Sequence, residues 1–80
     1  MDRYENCMVE WNWAVPNGLD PATFKPSFTV FLPDGKQEAH QGGNPELTAL
    51  FNTMGQSGWR VTTAITASNW ILWTLERKLA

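Results

Sequence analysis

One stretch of the chain, residues 44–65, restricts the fold more than any other. It reads NPELTALFNTMGQSGWRVTTAI, and its apolar residues first recur at helical spacing and then alternate. Asn44 is a good N-cap, and Pro45 suits the first helical position, where no backbone N–H is needed. Gly58 can take the left-handed conformation that ends a helix. The stretch therefore predicts a helix that passes directly into a β-strand.

The predicted helix has one apolar face, and the predicted strand has two different faces. The helical face recurs at i, i+3, i+4 and i+7 and is formed by Leu47, Leu50, Phe51 and Met54. One face of the strand is formed by alternate residues, namely Trp59, Val61, Thr63 and Ile65. We expect this strand face to receive the apolar face of the helix, which would make Trp59 a core residue.

The same stretch carries a resemblance to a known family. Its pattern Leu-Phe-Asn-x-Met-Gly-x-x-Gly-Trp-x-Val resembles that of the small bacterial DUF4177-type domains and is carried by Leu50, Phe51, Asn52, Met54, Gly55, Gly58, Trp59 and Val61. Tyr4-Glu5 and the segment Trp73–Arg77 look like the first and last strands of those domains. Residues 14–43 form a longer link than is usual for them. The resemblance implies a fold and, because the function of that family is unknown, no particular chemistry.

The other segments predict the strands that the helix covers. A first strand runs from Arg3 to Trp13, a second from Ser27 to Leu32, and a last from Trp70 to Leu79. A short strand can return through Gln37–His40, and a Pro/Gly-rich loop spans 14–26. The predicted fold is α+β, with an antiparallel sheet of about four strands in the order β-β-α-β-β and the helix on one face.

Length and composition limit the classes of function. The chain has 80 residues, which suits a single domain over 1–80. Such a domain buries only roughly 60% of the surface that its unfolded chain exposes, so we expect a homo-oligomer, most simply a homodimer. The formal net charge is −2 and the basic residues are dispersed, which argues against nucleic acid as a partner.

The sequence also predicts the compartment. No apolar run approaches the roughly 20 residues of a membrane span, and the N-terminus does not resemble a signal peptide. Cys7 is the only cysteine, so no intrachain disulfide can form. We therefore expect a cytoplasmic protein without a membrane partner.

The sequence contains no recognisable catalytic, metal or cofactor motif. Weak candidates for proton transfer are Glu10, His40 and Tyr4. For Glu10 the alternative is an ion pair across strands with Arg60 or Arg77. One histidine and one cysteine are too few ligands for a structural zinc site without carboxylates. We expect no metal and no cofactor, and we favour a non-catalytic protein over an enzyme.

Tryptophan is the residue type that points most directly to a function. The chain has five tryptophans, more than one helix can cover in so small a domain, and tryptophan is enriched in interface cores. The predicted binding residues are those of the first and last strands, Trp11, Trp13, Trp70 and Trp73.

Three functions remain open at this point. The first is a small non-catalytic binding or accessory protein that uses an aromatic sheet face or an edge strand to bind a protein or peptide partner. A helper of a peptide-modifying enzyme is one example. The second is a small-molecule enzyme or carrier with a pocket under the 14–26 loop, and the third is a purely structural dimer. The surplus of apolar residues favours the first.

Overall fold

The computed structural model describes residues 3–12, 26–67 and 70–79. Its elements in chain order are β1 (Tyr4–Asn12), β2 (Ser27–Phe31), β3 (Gln37–Gln41), α1 (Asn44–Gln56), β4 (Arg60–Thr66) and β5 (Trp70–Lys78). The predicted α+β class is confirmed, and the short strand through Gln37 makes the sheet five-stranded where about four strands were predicted. Trp13 and residues 14–25 of the Pro/Gly-rich loop lie outside the described residues.

The sheet is antiparallel throughout and has the order β3-β2-β1-β5-β4. β1 lies at its centre and pairs with β2 on one side and with β5 on the other. β1 and β5 carry apolar residues on both faces, although α1 covers only one face of the sheet. The outer strands β3 and β4 are exposed along their whole length.

The helix begins one residue earlier than predicted. Gly43, and not Asn44, is the N-cap residue. The carboxylate of Glu46 accepts a hydrogen bond from the Gly43 N–H, with an N–O distance of 3.1 Å. Because this carboxylate can reach back to the backbone of the cap residue, a side-chain cap from Asn44 is not needed.

The end of the helix is the one predicted. Gly58 has a φ of +91°, in the left-handed region that favours glycine. The N–H of Gly58 donates to the carbonyl of Gly55, and that of Trp59 donates to the carbonyl of Met54, both at 3.0 Å. These bonds satisfy carbonyl groups of the last helical turn and direct the chain into β4.

The core lies between α1 and the strands β2, β1 and β5. Its buried side chains are Cys7, Val9, Phe28, Val30, Leu47, Met54 and Leu75. The partly buried apolar residues that pack against it are Trp11, Leu32, Leu50, Phe51, Trp59 and Trp73. The predicted apolar face of the helix packs on the sheet, and Trp59 contacts the core as expected. The helix does not pack on β4 as predicted, because β4 is exposed along its whole length.

The prediction for β4 is partly wrong, because a register shift lies between Val61 and Thr63. Val61 is opposite Leu75, which belongs to the core, whereas Ile65 is opposite Leu72. The extra residue reverses the alternation of side chains beyond it. Val61 and Ile65 therefore lie on different faces of the sheet, although simple alternation puts them on one.

Candidate functional site

The face of the sheet that lies opposite α1 is here called the open face. Its apolar side chains are Tyr4, Met8, Phe31, Ile65, Trp70 and Leu72. The alternation of side chains along each strand fixes this assignment. Met8 lies between the buried residues Cys7 and Val9, and Leu72 precedes Trp73, whose ring contacts Phe51 of the helix.

The pairing of the strands brings these apolar side chains together. Met8 is directly opposite Phe31 on β2, and it is opposite Thr74 on β5. Leu72 is directly opposite Ile65 on β4. Side chains that are directly opposite in an antiparallel pair have Cβ atoms roughly 5 Å apart. Met8 and Leu72 are diagonal neighbours on β1 and β5, a spacing of roughly 7–8 Å that long side chains span. The open face therefore carries an apolar surface that crosses from β2 to β4, with Thr74 and Glu10 beside it.

Several of these side chains are accessible in the folded chain. Tyr4 is 48% exposed, Met8 38% and Ile65 58%. Phe31, Trp70 and Leu72 are half-buried. A connected group of accessible apolar side chains on one face of a small protein is typical of an interaction surface.

An ion pair, Arg60–Glu76, lies on the open face. Arg60 Nε donates to Glu76 Oε1 at 3.0 Å, and the Nη2 atom of the same guanidinium contacts the same oxygen. The hydrogen bond and the negative charge of Glu76 raise the pKa of Arg60. This pair lies in the row of residues between Tyr4 and Met8, because Glu76 is opposite Asn6 of β1.

Glu10 does not form the ion pair that the sequence suggested. Its Oε1 atom accepts a hydrogen bond of 3.2 Å from Asn12 Nδ2. The register places Glu10 opposite Leu72 of β5. The residue opposite Glu76 is Asn6, which lies four residues before Glu10 on β1. Arg60 instead reaches Glu76, and the Arg77 guanidinium binds Glu5.

The three weak candidates for proton transfer lie far apart. Tyr4 and Glu10 point from the open face but are six residues apart on one strand, a distance of roughly 20 Å. His40 lies on the helix side of the sheet, where its ring stacks on Phe28 with centroids 5.3 Å apart. The structure therefore brings no two of these groups together. Within the described ranges no group of three or more possible metal ligands forms either.

The predicted binding tryptophans are divided between the two faces. Trp11 and Trp73 lie on the helix side and pack against the core, and the Trp73 ring meets that of Phe51 edge to face, with centroids 5.1 Å apart. Trp70 lies on the open face, opposite Asn12. Phe31 and Leu72 also belong to the open face but were not predicted as binding residues. Their only signal in the sequence is that they are apolar residues on the second face of their strands.

A groove lies on the helix side, between α1 and the outer strand β3. It has a volume of about 360 Å³ and is lined by Phe28, His40, Gln41, Glu46, Ala49, Leu50 and Thr53. Its floor is the stacked pair of Phe28 and His40. Its wall is one face of the helix. It is here called the helix groove.

No family model, curated protein or solved structure matches the chain. The resemblance to DUF4177-type domains therefore stays a prediction that depends on the motif around Gly58 and Trp59. In the ranges that the structure describes, α1 is the one helix, and it is too short and too polar to cross a bilayer.

Proposed function

We propose that this chain is a small non-catalytic binding protein of the cytoplasm that forms a homodimer by packing the open faces of two copies together. The observation that carries the proposal is the connected apolar surface on the side of the sheet that α1 does not cover. An enzymatic function has less support, because Tyr4, Glu10 and His40 are dispersed over two faces.

Charge favours a second copy as the occupant of the open face. Arg60 and Glu76 neutralise each other within one chain, and the Glu10 carboxylate accepts a hydrogen bond from Asn12. The face thus combines apolar side chains with an internal ion pair and with Glu10, whose carboxylate is hydrogen-bonded within the chain. A partner of strong opposite charge is not required, and the same surface of a second copy is complementary to it.

The size of the face agrees with a reversible dimer. Strands lie about 4.8 Å apart and rise about 3.3 Å per residue, so the four strands that carry apolar side chains cover on the order of 500 Å². Two copies would then bury roughly 1,000 Å², below the roughly 1,200–2,000 Å² of stable specific interfaces and within the range of weak, transient ones. Packing of two sheets at an angle of about 30° is a common arrangement. We expect a dimer that dissociates at micromolar concentration.

Two substitutions on β4 test this proposal. Ile65 is on the open face and Val61 is on the helix side, and they are 58% and 49% exposed. We expect Ile65→Lys to give a folded monomer, because a charge would be buried in the interface, and Val61→Lys to remain dimeric. Light scattering after size exclusion measures both masses. If Val61→Lys is monomeric and Ile65→Lys is dimeric, the open face is not the interface.

A further inference from the structure

Some backbone N–H and C=O groups of β3 point away from β2, toward the outer edge of the sheet. The hydrogen bonds at the two ends of the β2–β3 pair show which residues carry them. The N–H of Leu32 donates to the carbonyl of Lys36 at 2.8 Å, and that of Gly42 donates to the carbonyl of Pro26 at 3.0 Å. Bonded and non-bonded pairs alternate along an antiparallel ladder. The residues whose N–H and C=O groups point away from β2 are therefore Gln37, Ala39 and Gln41.

The helix groove borders this edge, because His40 and Gln41 of β3 line it. His40 belongs to β3 and forms part of the floor of the groove, while Ala49 and Thr53 form part of its helical wall. A strand added beside β3 would lie about 4.8 Å away, and the side chain opposite His40 would point to the helix side. That side chain can enter the groove between the outer strand and the helix.

Two acidic side chains, Glu38 and Glu46, lie beside the helix groove. Glu38 is on the helix side of β3, and its Oε2 atom is 3.8 Å from His40 Nε2. Glu46 lines the groove from the first turn of α1. Both carboxylates lie in exposed positions, so the rim of the groove favours positive charge in whatever binds there.

We infer that β3 and the helix groove together bind an extended, basic peptide segment of a partner protein, which adds to the sheet as a sixth strand. An apolar side chain of the peptide enters the groove opposite His40, and a basic side chain two residues away meets Glu38. This inference rests on the proposed binding function and names its partner class. Main-chain hydrogen bonds to an edge strand supply affinity in this binding mode, and alternate side chains supply specificity.

β4, the opposite edge, is less suited to this role. Its ladder is interrupted by the register shift between Val61 and Thr63, and such an irregularity hinders the addition of another strand. The core contacts of α1 lie over β2, β1 and β5, and the helix groove is at β3. β3 combines a regular edge with a neighbouring groove, and β4 does not.

The test uses a fluorescent heptapeptide, Thr-Lys-Thr-Phe-Thr-Lys-Thr, and its anisotropy on titration with the protein. Ala39→Pro removes an outward N–H and leaves the ladder to β2 intact, because proline is tolerated at such edge positions. Ala39→Thr keeps the N–H and is the matched control. We expect Ala39→Pro to weaken binding by about tenfold or more, and Ala39→Thr to leave it within about twofold. A peptide with glutamate in place of lysine should also bind about tenfold more weakly.

A second measurement does not depend on the folding of the proline variant. Methylation of the backbone nitrogens of the inner threonines blocks their hydrogen bonds to β3 and should abolish binding to the unaltered protein. Unchanged binding of the methylated peptide, or no binding of the parent peptide, overturns the inference. The Ile65→Lys variant separates the two proposals. Peptide binding by a monomer supports the β3 site independently of the dimer, and a dimer that binds no peptide leaves only the structural role of the open face.

Discussion

Arg77 lies over the ring of Trp59, with its Cζ atom 4.4 Å from the ring centroid. Its Nη1 atom donates to the carbonyl of Ser57 at 3.3 Å, and its Nε atom donates to Glu5 Oε1 at 2.7 Å. One guanidinium thus joins β5 to β1 and to the end of α1. The contact explains why a basic residue stands among the apolar residues of the helix side of β5.

Replacement of Arg77 should loosen the end of the helix. Loss of the cation–π contact and of the bonds to Glu5 and Ser57 should lower the free energy of unfolding by about 2 kcal/mol in Arg77→Ala. Urea denaturation measures this change. Arg60→Ala is the matched control, because its pair with Glu76 is on the surface and should matter little. Equal losses in both variants would show that Arg77 is an ordinary surface residue.

Substitutions of Gly55 and Gly58 should change the stability of the fold in opposite directions. Gly58 has a φ of +91°, so Gly58→Val should cost about 2–3 kcal/mol of stability, with backbone strain as the cause. An added Cβ at Gly58 meets Arg77 only at 3.5 Å, an ordinary contact. Gly55 is inside the helix and has open space around it, so Gly55→Ala should stabilise by about 1 kcal/mol. Thermal melting of both variants checks the signs, and a destabilised Gly55→Ala contradicts this account.

Cys7 should make the stability of the protein fall at alkaline pH. Burial raises the pKa of its thiol from 9.0 to about 11, although Arg77 opposes the shift and Glu5 adds to it. The folded chain therefore keeps a proton that the unfolded chain loses, and stability is lost as the pH rises from 9.0 to about 11. Urea unfolding at about pH 8 and about pH 10.5 should show a larger loss for the unaltered protein than for Cys7→Ala. Parallel pH profiles would contradict the assignment.

Substitution of the two tryptophans of β5 should have different effects, one on the stability of the fold and the other on dimerisation. Trp73 packs on Phe51 in the core layer, so Trp73→Ala should lower the free energy of unfolding by about 3 kcal/mol. Trp70 is half-buried on the open face, so Trp70→Ala should weaken the dimer by more than about 1 kcal/mol and leave the fold intact. Circular dichroism and sedimentation measure the two effects. Trp11 is expected to behave as Trp73 does.

The helix and its end were predictable because their signals are local. The stripe from Leu47 to Met54 and the glycine at 58 depend on residues adjacent in sequence, and both have the predicted role. The N-cap was missed because Glu46 reaches back to the backbone of Gly43, which moves the cap away from the favourable residue Asn44.

Long-range features were less predictable. The register shift in β4 has no obvious sequence signal, and it alone decides that Ile65 and not Val61 is on the open face. The partners of Arg60 and Arg77 depend on the register of β5 with its neighbours, which alternation cannot supply. The groove beside β3 requires the helix to be placed over the sheet, so no motif in the sequence indicates it.

The central claim is that the open face holds two copies of this chain together. Sedimentation equilibrium of the unaltered protein, from low to high micromolar concentration, tests it most directly. The mass of one chain is 9.1 kDa, and we expect the measured mass to rise toward twice that value with concentration. A mass that stays at 9.1 kDa through the highest concentration would contradict the account.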